Sequence, residues 1–360
     1  VQQAAIPPLD TKISLRTGEL IAPGRRYRNV AAEIEFNSGV MRVPLLQLEG
    51  DGGASLEIDG DLQPDTVGRK GTIRAVATAA TPAALALITE LLDLPPDLAR
   101  TAERLPAALP LRLAGTLKLA AAEKSTSELV IDGDLASTRL SATVRLDGTP
   151  QNWRAVPLDA AITLAGPEAS RILAAVTGLD SGALAKSKDA HTIRLNVTGN
   201  AKSRLAVNGL AEGANLKLAL AGSIEPEARE PALTGDLTVT TSDGGRLAAL
   251  LPGLSRIALA TTPIAGAARV VIGPNRTEFH DISAKVGASM VAGALRSEAA
   301  GTATRIDGNL KVSTLRVAHL LAPLLLQRSE AASQAAAILS GQSVIWPDEQ
   351  LDLAVLDTVS

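Results

Sequence analysis

Pairs of aspartates recur along this sequence at a spacing that could support acid–base chemistry. Asp59 and Asp61 form one pair, and Asp132 and Asp134 form another. Side chains two residues apart on a strand share a face, so the two carboxylates of a pair could act as general acid and general base. Because the pairs recur with a repeated segment, we predict that they belong to a solvated face and that the protein is not an enzyme.

The three histidines do not suggest a metal site or a catalytic triad. His191, His280 and His319 stand in different parts of the chain without a second histidine at ligand spacing. A site would therefore need groups from distant segments to converge. The chain also lacks cysteine, a phosphate-binding loop and a dinucleotide fingerprint. We predict structural or surface roles for the histidines, and neither a metal nor a cofactor.

The repeated segment is a short strand written four times. The central glycines of the copies are 73, 102 and 73 residues apart. Each copy alternates aliphatic, polar, glycine, polar, aliphatic, which places the aliphatic side chains and the glycine on one face of a strand. The copies are 58–62 (IDGDL), 131–135 (IDGDL), 233–237 (LTGDL) and 306–310 (IDGNL). The candidate functional side chains are therefore the aliphatic ones on the face opposite the aspartates.

Composition restricts the kind of core and the class of partner. Only five of the 360 residues are aromatic, so the core must be built from Leu, Ala, Val and Ile, which favours a thin layer. The formal charge is −3 without a basic block, which argues against nucleic acid as a partner. Trp153 and Trp346 could mark contact with carbohydrate or a membrane interface, but each precedes a strand block near a proline, so we predict that they pack.

Strand blocks alternate with short leucine-rich helices. Thr81 and Pro82 have the types expected at a helix N-cap and first position, and 166–168 begins a second helical pattern that ends near Gly178. Further helical patterns cover 97–105, 247–251, 315–326 and 328–339. We divide the chain into block 1 with a helical pair (1–106), block 2 with a helix (107–180), block 3 with a helix (190–254), block 4 with helices (257–341) and the start of a further block (342–360).

The predicted fold class is mainly β: repeated antiparallel strand blocks form a long, curved, groove-like sheet, with short α-helices between the blocks. Some sixteen to twenty strands at about 4.8 Å each would extend on the order of 80 to 100 Å. The short helices between the blocks would not cover the aliphatic face of such a sheet, which would leave an apolar trough. The alternative is a closed β-sandwich that buries this face.

The trough predicts a passive binding site for the acyl chains of a phospholipid or other acyl lipid. Burial at about 0.8 kcal/mol per CH₂ would hold the chains without residue-specific chemistry. Alternation alone selects the candidate lipid-contacting residues, which are Leu111, Leu113, Leu117, Leu119, Leu140, Val144, Leu216, Leu218, Leu237 and Val239. The sandwich alternative predicts a structural or adaptor module.

Several small motifs resemble the repeating β-unit of AsmA-type proteins. They are 7–10 (PPLD), 18–20 (GEL), 29–30 (NV), 39–40 (GV), 44–45 (PL) and 52–53 (GG), with 346–347 (WP) and 351–356 (LDLAVL) resembling the start of the same unit in that family's C-terminal region. The strand-then-helix pattern of 235–251 is also similar. The resemblance spans most of the chain and rests on pattern and small motifs.

The resemblance implies a Gram-negative envelope protein that is periplasmic and tethered to the inner membrane by an N-terminal helix. It implies a role in phospholipid transport toward the outer membrane and in outer-membrane assembly. The sequence starts at Val1 without a signal-like segment, and its longest apolar stretch, 317–326, is about half of a membrane-spanning helix. We therefore expect a segment of a longer protein whose anchor lies elsewhere.

Overall fold

The computed structural model describes residues 10–22, 25–64, 69–92, 108–121, 125–177, 191–228, 232–244, 262–273, 276–300 and 303–313. These residues form one antiparallel sheet of 17 strands that is open and curved. The predicted fold class is therefore confirmed, and no second sheet packs on the first within these ranges. The helical patterns predicted at 97–105, 247–251, 315–326 and 328–339, and the block at 342–360, lie outside the described residues.

The strands follow one another in chain order. They are β1 (Thr11–Ala22), β2 (Arg25–Asn37), β3 (Val40–Gly50), β4 (Ala54–Pro64), β5 (Arg69–Ala79), β6 (Leu111–Ala121), β7 (Ser125–Leu135), β8 (Thr138–Leu146), β9 (Pro157–Gly166), β10 (His191–Asn200), β11 (Arg204–Gly213), β12 (Leu216–Ile224), β13 (Leu233–Thr241), β14 (Ile264–Ile272), β15 (Arg276–Val286), β16 (Ser289–Ala300) and β17 (Ala303–Val312). Each strand from β2 to β16 pairs with the strand before it and the strand after it.

This meander agrees with the alternation in the sequence, and at about 4.8 Å per strand it extends roughly 80 Å. The four repeated segments lie in β4, β7, β13 and β17. Strand β5 was not predicted. Its side chains on the apolar side are mostly alanine, with Ala75, Ala77 and Ala79 after Ile73, and alanine gives little hydrophobic contrast along a strand.

Two helices are described, and both confirm predicted patterns. Helix α1 (Pro82–Leu91) begins after Thr81, whose side-chain oxygen accepts a hydrogen bond from the Ala84 amide at 3.2 Å. Helix α2 (Ala169–Thr177) follows β9. Helix α1 packs on β4 and β5, and α2 packs on β9 and β10.

Both helices lie along the same rim of the sheet. In an antiparallel meander, every connection that follows an odd-numbered strand lies at one rim, and α1 follows β5 while α2 follows β9. We call this the helix rim and the opposite side the helix-free rim. The buried hydrophobic core is concentrated at the helix rim, where Leu87 and Ile88 of α1 and Ile172 of α2 are buried with Leu111 and Leu135 of the sheet.

Three β-bulges interrupt the alternation. Asn29 in β2 and Asp281 in β15 have positive φ values of 50° and 53°, and the pairing register shifts beside each of them. A third shift in β3 falls between Val43 and Leu46. A bulge makes two residues oppose one, so apolar side chains three positions apart, such as Phe279 and Ile282, lie on the same face. Bulges also bend the strand, which contributes to the curvature of the sheet.

Candidate functional site

One face of the sheet is continuously apolar, and we call it the apolar face. In antiparallel strands, directly paired residues lie on the same face, so the pairing register traces this face from strand to strand. One row crosses fifteen strands, from β3 to β17, through Leu48, Leu56, Ala77, Leu113, Gly133, Leu140, Leu164, Ile193, Ala211, Leu218, Val239, Gly266, Ala284, Val291 and Val312. Every member is aliphatic or glycine.

Charged side chains are absent from much of this face. From β6 to β17, the described positions that share it contain no Asp, Glu, Lys or Arg. The polar groups there are a few Ser and Thr residues and His191, which is buried at the start of β10. Burying a surface of this composition against hydrocarbon would remove apolar area from water, which is favourable.

Alanine exposure indicates which face is concave. On the apolar face, Ala142 and Ala160 are 8% and 7% exposed, whereas Ala161, Ala206 and Ala221 on the opposite face are exposed. The residue type is the same, so the difference reflects how closely the neighbouring side chains crowd each position. Curvature brings side chains together on the inner side of a sheet and spreads them on the outer side. The crowding on the apolar face is that expected of the inner side of the curve.

The apolar face is covered at the helix rim and open in its middle. Leu111 and Leu135 are buried in the cluster that includes α1 and α2. On the same strands, Leu117 and Leu129, which pair with one another further from the helices, are only half-buried. In a sandwich the whole inner face would be buried. The groove therefore consists of the half-buried part of the apolar face between the helix rim and the helix-free rim.

The structure brings all ten predicted lipid-contacting residues onto the apolar face. Half-buried positions that a ligand could reach are occupied by Leu113, Leu117, Leu119, Leu140, Val144, Leu218, Leu237 and Val239. Leu111 and Leu216 are 7% and 5% exposed, so they present little area to a ligand. Alternation identifies the face but not the depth of burial, because burial depends on which other parts of the chain cover each position.

The central glycine of each repeated segment also lies on the apolar face, where the neighbouring strand approaches closely. A Cβ atom added at Gly60, Gly133, Gly235 or Gly308 would come within 3.0 Å of a carbonyl oxygen of the adjacent strand. Cβ atoms do not approach so closely in folded proteins, so each strand tolerates only glycine at that point. By contrast, the nearest atom to a Cβ at Gly115, on the same face, would be 3.9 Å away.

The opposite face carries the charged side chains, as predicted for the aspartates. Asp59 accepts hydrogen bonds from Arg74 across the β4–β5 pair at 2.6 and 2.9 Å, and Asp132 and Asp134 are exposed. Carboxylates that already accept hydrogen bonds from a guanidinium in water are poor candidates for acid–base catalysis.

Cross-strand ion pairs extend over this charged face. Glu212 lies 3.1 Å from Lys217 and 2.9 Å from Arg194. The hydrogen bond from Lys217, followed by that from Arg194, lowers the pKa of Glu212 below its ordinary value. Glu128 is similarly placed between Lys118 and Arg145. These contacts bridge neighbouring strands on the wet side of the sheet.

The remaining candidates from the sequence do not form a reactive site. His280 is exposed and lies 3.1 Å from Glu278, while His319 is outside the described residues. No group of three or more potential metal ligands occurs in the described part of the chain. The prediction that Trp153 packs is wrong, because its side chain is 39% exposed, with the Arg154 guanidinium 5.2 Å from the ring centroid. Trp346 is outside the described residues.

Comparison with known proteins adds no relative to this picture. No family model matches the chain, and neither does any curated protein or solved structure. Among the described helices, none is both long enough and apolar enough to cross a bilayer.

Proposed function

We propose that this protein binds the acyl chains of phospholipids in its apolar groove and carries them between the inner and outer membranes of a Gram-negative envelope. The observation that supports the proposal most is the apolar face, which is continuous from β3 to β17 and is only half-buried at positions away from the helix rim, such as Leu117 and Leu129. Ordinary monomers expose contiguous apolar patches of only a few hundred Å². A half-open face of this length therefore calls for an apolar occupant.

Composition favours lipid over a protein partner as that occupant. The cores of protein–protein interfaces are enriched in aromatic residues, Met and Arg. The described apolar face contains few rings, among them Tyr27, Phe36 and Phe279, and is otherwise built from Leu, Ile, Val, Ala and Gly. The aliphatic side chains along the groove also provide no polar group that would hold a bound chain more tightly at one point than at the next.

The transport mechanism in this proposal is passive. The acyl chains lie on the apolar face, each buried CH₂ contributes about 0.8 kcal/mol, and the head group stays in water. Movement along the groove exchanges one aliphatic contact for an equivalent one, so no catalytic residue and no cofactor take part. We propose further that the chain is an AsmA-type protein that is tethered to the inner membrane in the periplasm, a placement supported by the sequence motifs that resemble that family.

Native mass spectrometry of protein purified without detergent tests the proposal. We expect phospholipid to co-purify with the wild-type protein. The variant Leu117→Asp should lose the lipid and keep its fold, because Leu117 is half-buried and an added carboxylate remains hydrated. A wild-type protein that carries no lipid would overturn the proposal.

A matched variant separates loss of binding from loss of folding. Leu164, 7% exposed, belongs to the buried cluster with α2, so Leu164→Asp should unfold the surrounding strands, since an unpartnered buried charge costs several kcal/mol. If Leu117→Asp unfolds the protein as Leu164→Asp does, the groove is a dry core. That result would favour the second candidate, a structural or adaptor module that presents its charged face to an outer-membrane assembly partner.

A further inference from the structure

The loop between β8 and β9 places an exposed tryptophan and an arginine at the helix-free rim. Residues 147–156 form this connection, and they include a short 3-10 turn at Pro150–Asn152. Trp153 follows the turn, is 39% exposed, and has the Arg154 guanidinium 5.2 Å from its ring centroid. Exposing part of so large a ring to water costs solvation free energy, so the exposure needs an explanation.

The loop is held in place by hydrogen bonds on both sides. Within it, the Ala155 amide donates to the Asn152 carbonyl at 2.8 Å. Toward the neighbouring strands, the Lys202 amide donates to the Arg154 carbonyl at 3.1 Å, and the Asn200 side chain donates to the Ala155 carbonyl at 3.0 Å. These hydrogen bonds fix the backbone on either side of Trp153.

The same loop closes the apolar face at this rim. The Ser127 hydroxyl donates to the Gly148 carbonyl at 2.7 Å, and Ser127 and Leu146 are buried there. Leu146 pairs with Leu158 on the apolar face. The loop therefore lies where the hydrocarbon-binding surface meets water, and an amphipathic ring is suited to such a boundary.

The loop and the turn beside it carry more cations than carboxylates. Residues 147–156 and 202–204 contain three cations, Arg154, Lys202 and Arg204, and one carboxylate, Asp147. A guanidinium offers a planar set of N–H donors that matches the oxygens of a phosphate.

We infer that Trp153 and Arg154 bind the phosphate-bearing head group of a phospholipid whose acyl chains lie in the groove. This inference rests on the proposed function and adds a fixed position for the head group at the helix-free rim. Arg154 donates to the phosphodiester oxygens, and Trp153 holds the guanidinium over its ring and contacts the glycerol backbone.

Binding of two lipids with identical tails tests the inference. Dioctanoyl phosphatidylglycerol carries the phosphate and dioctanoylglycerol lacks it, and titration calorimetry measures the affinity of the full chain for each. We expect Arg154→Gln to weaken binding of the phosphate-bearing lipid about tenfold and to leave binding of dioctanoylglycerol within about twofold, because only the first loses a charge-assisted hydrogen bond. The control Arg139→Gln, on an exposed arginine of the charged face, should change neither affinity.

Three other outcomes separate failure of the head-group site from failure of the groove. If the wild-type protein binds both lipids and Arg154→Gln changes both affinities equally or neither, the head-group site is wrong and the groove stands. If the wild-type protein binds neither lipid, the proposed function fails and the head-group site fails with it. If glycerol phosphate, which has no tails, binds as tightly as the phosphatidylglycerol, the loop is a site for free phosphate and the inference is overturned.

Discussion

At the scale of single residues, the glycines of the repeated segments show why a short motif recurs. The Ile-Asp-Gly-Asp-Leu pattern combines an aliphatic contribution to the groove, two polar side chains for the opposite face, and a glycine that permits close approach of the next strand. Each position follows from the local geometry of the sheet. None requires a chemical reaction.

Gly133→Ala should lower the free energy of unfolding by about 2 kcal/mol, because its Cβ would lie within 3.0 Å of the Arg112 carbonyl oxygen and backbone would have to move. Denaturant unfolding followed by circular dichroism measures the change. Gly115→Ala is the matched control on the same face, and we expect it to be neutral or slightly stabilising, since alanine restricts the unfolded chain. Equal losses from both substitutions would contradict the close-approach explanation.

Glu212 provides a residue-scale prediction for pH. Its pKa is lowered in the folded protein by Lys217 first and Arg194 second. A carboxyl group with a lowered folded-state pKa stabilises the fold above its unfolded-state pKa, and this contribution disappears as pH falls through the folded-state value. NMR titration should therefore give Glu212 a midpoint below that of an ordinary glutamate, and Lys217→Met should raise it. An unchanged midpoint in Lys217→Met would contradict the assignment.

At the scale of elements, helix α1 is held at the helix rim by a local N-cap and by contacts with residues distant in the sequence. Thr81 caps the helix and also donates to the Gly52 carbonyl at 3.2 Å in the turn that precedes β4. Leu87 of the same helix lies directly over Gly50, where a Cβ atom would clash with its side chain. The helix is thereby fixed to the sheet by one polar and one apolar contact.

Thr81→Ala should destabilise the protein by about 1 to 2 kcal/mol, because it removes both the cap and the bond to the turn. Thermal unfolding measures the change. In Thr89→Ala, within the same helix, the cap is retained and alanine has the higher helix propensity, so we expect little or no loss. If Thr89→Ala is as destabilising as Thr81→Ala, the cap is not what fixes the start of α1.

At the scale of the whole molecule, the sheet is a linear array in which each strand pairs only with its neighbours in the chain. Stability in such arrays is a sum of local contributions and nearest-neighbour contacts. A local defect should therefore remain local. This connectivity also keeps the groove continuous, because no distant pairing crosses it.

Hydrogen exchange measured on Gly133→Ala tests this locality. Amide protection should fall in β6, β7 and β8, which surround the substitution, and stay at the wild-type level in β14 to β17. A uniform loss of protection along the chain would show that the sheet unfolds as one cooperative unit.

The sequence by itself determined the strand character, the sidedness of the strands, the positions of α1 and α2 and the charged nature of the opposite face, because these depend on alternation and on local capping. It missed β5, whose alanines give weak contrast, and the bulges, which shift the alternation by one residue. Only the tertiary structure decided that the apolar face is the more crowded of the two faces, that Leu111 and Leu216 are buried while Leu117 is only half-buried, and that Trp153 is exposed. Those properties depend on curvature and on coverage by segments distant in the chain, which a period of two residues does not encode.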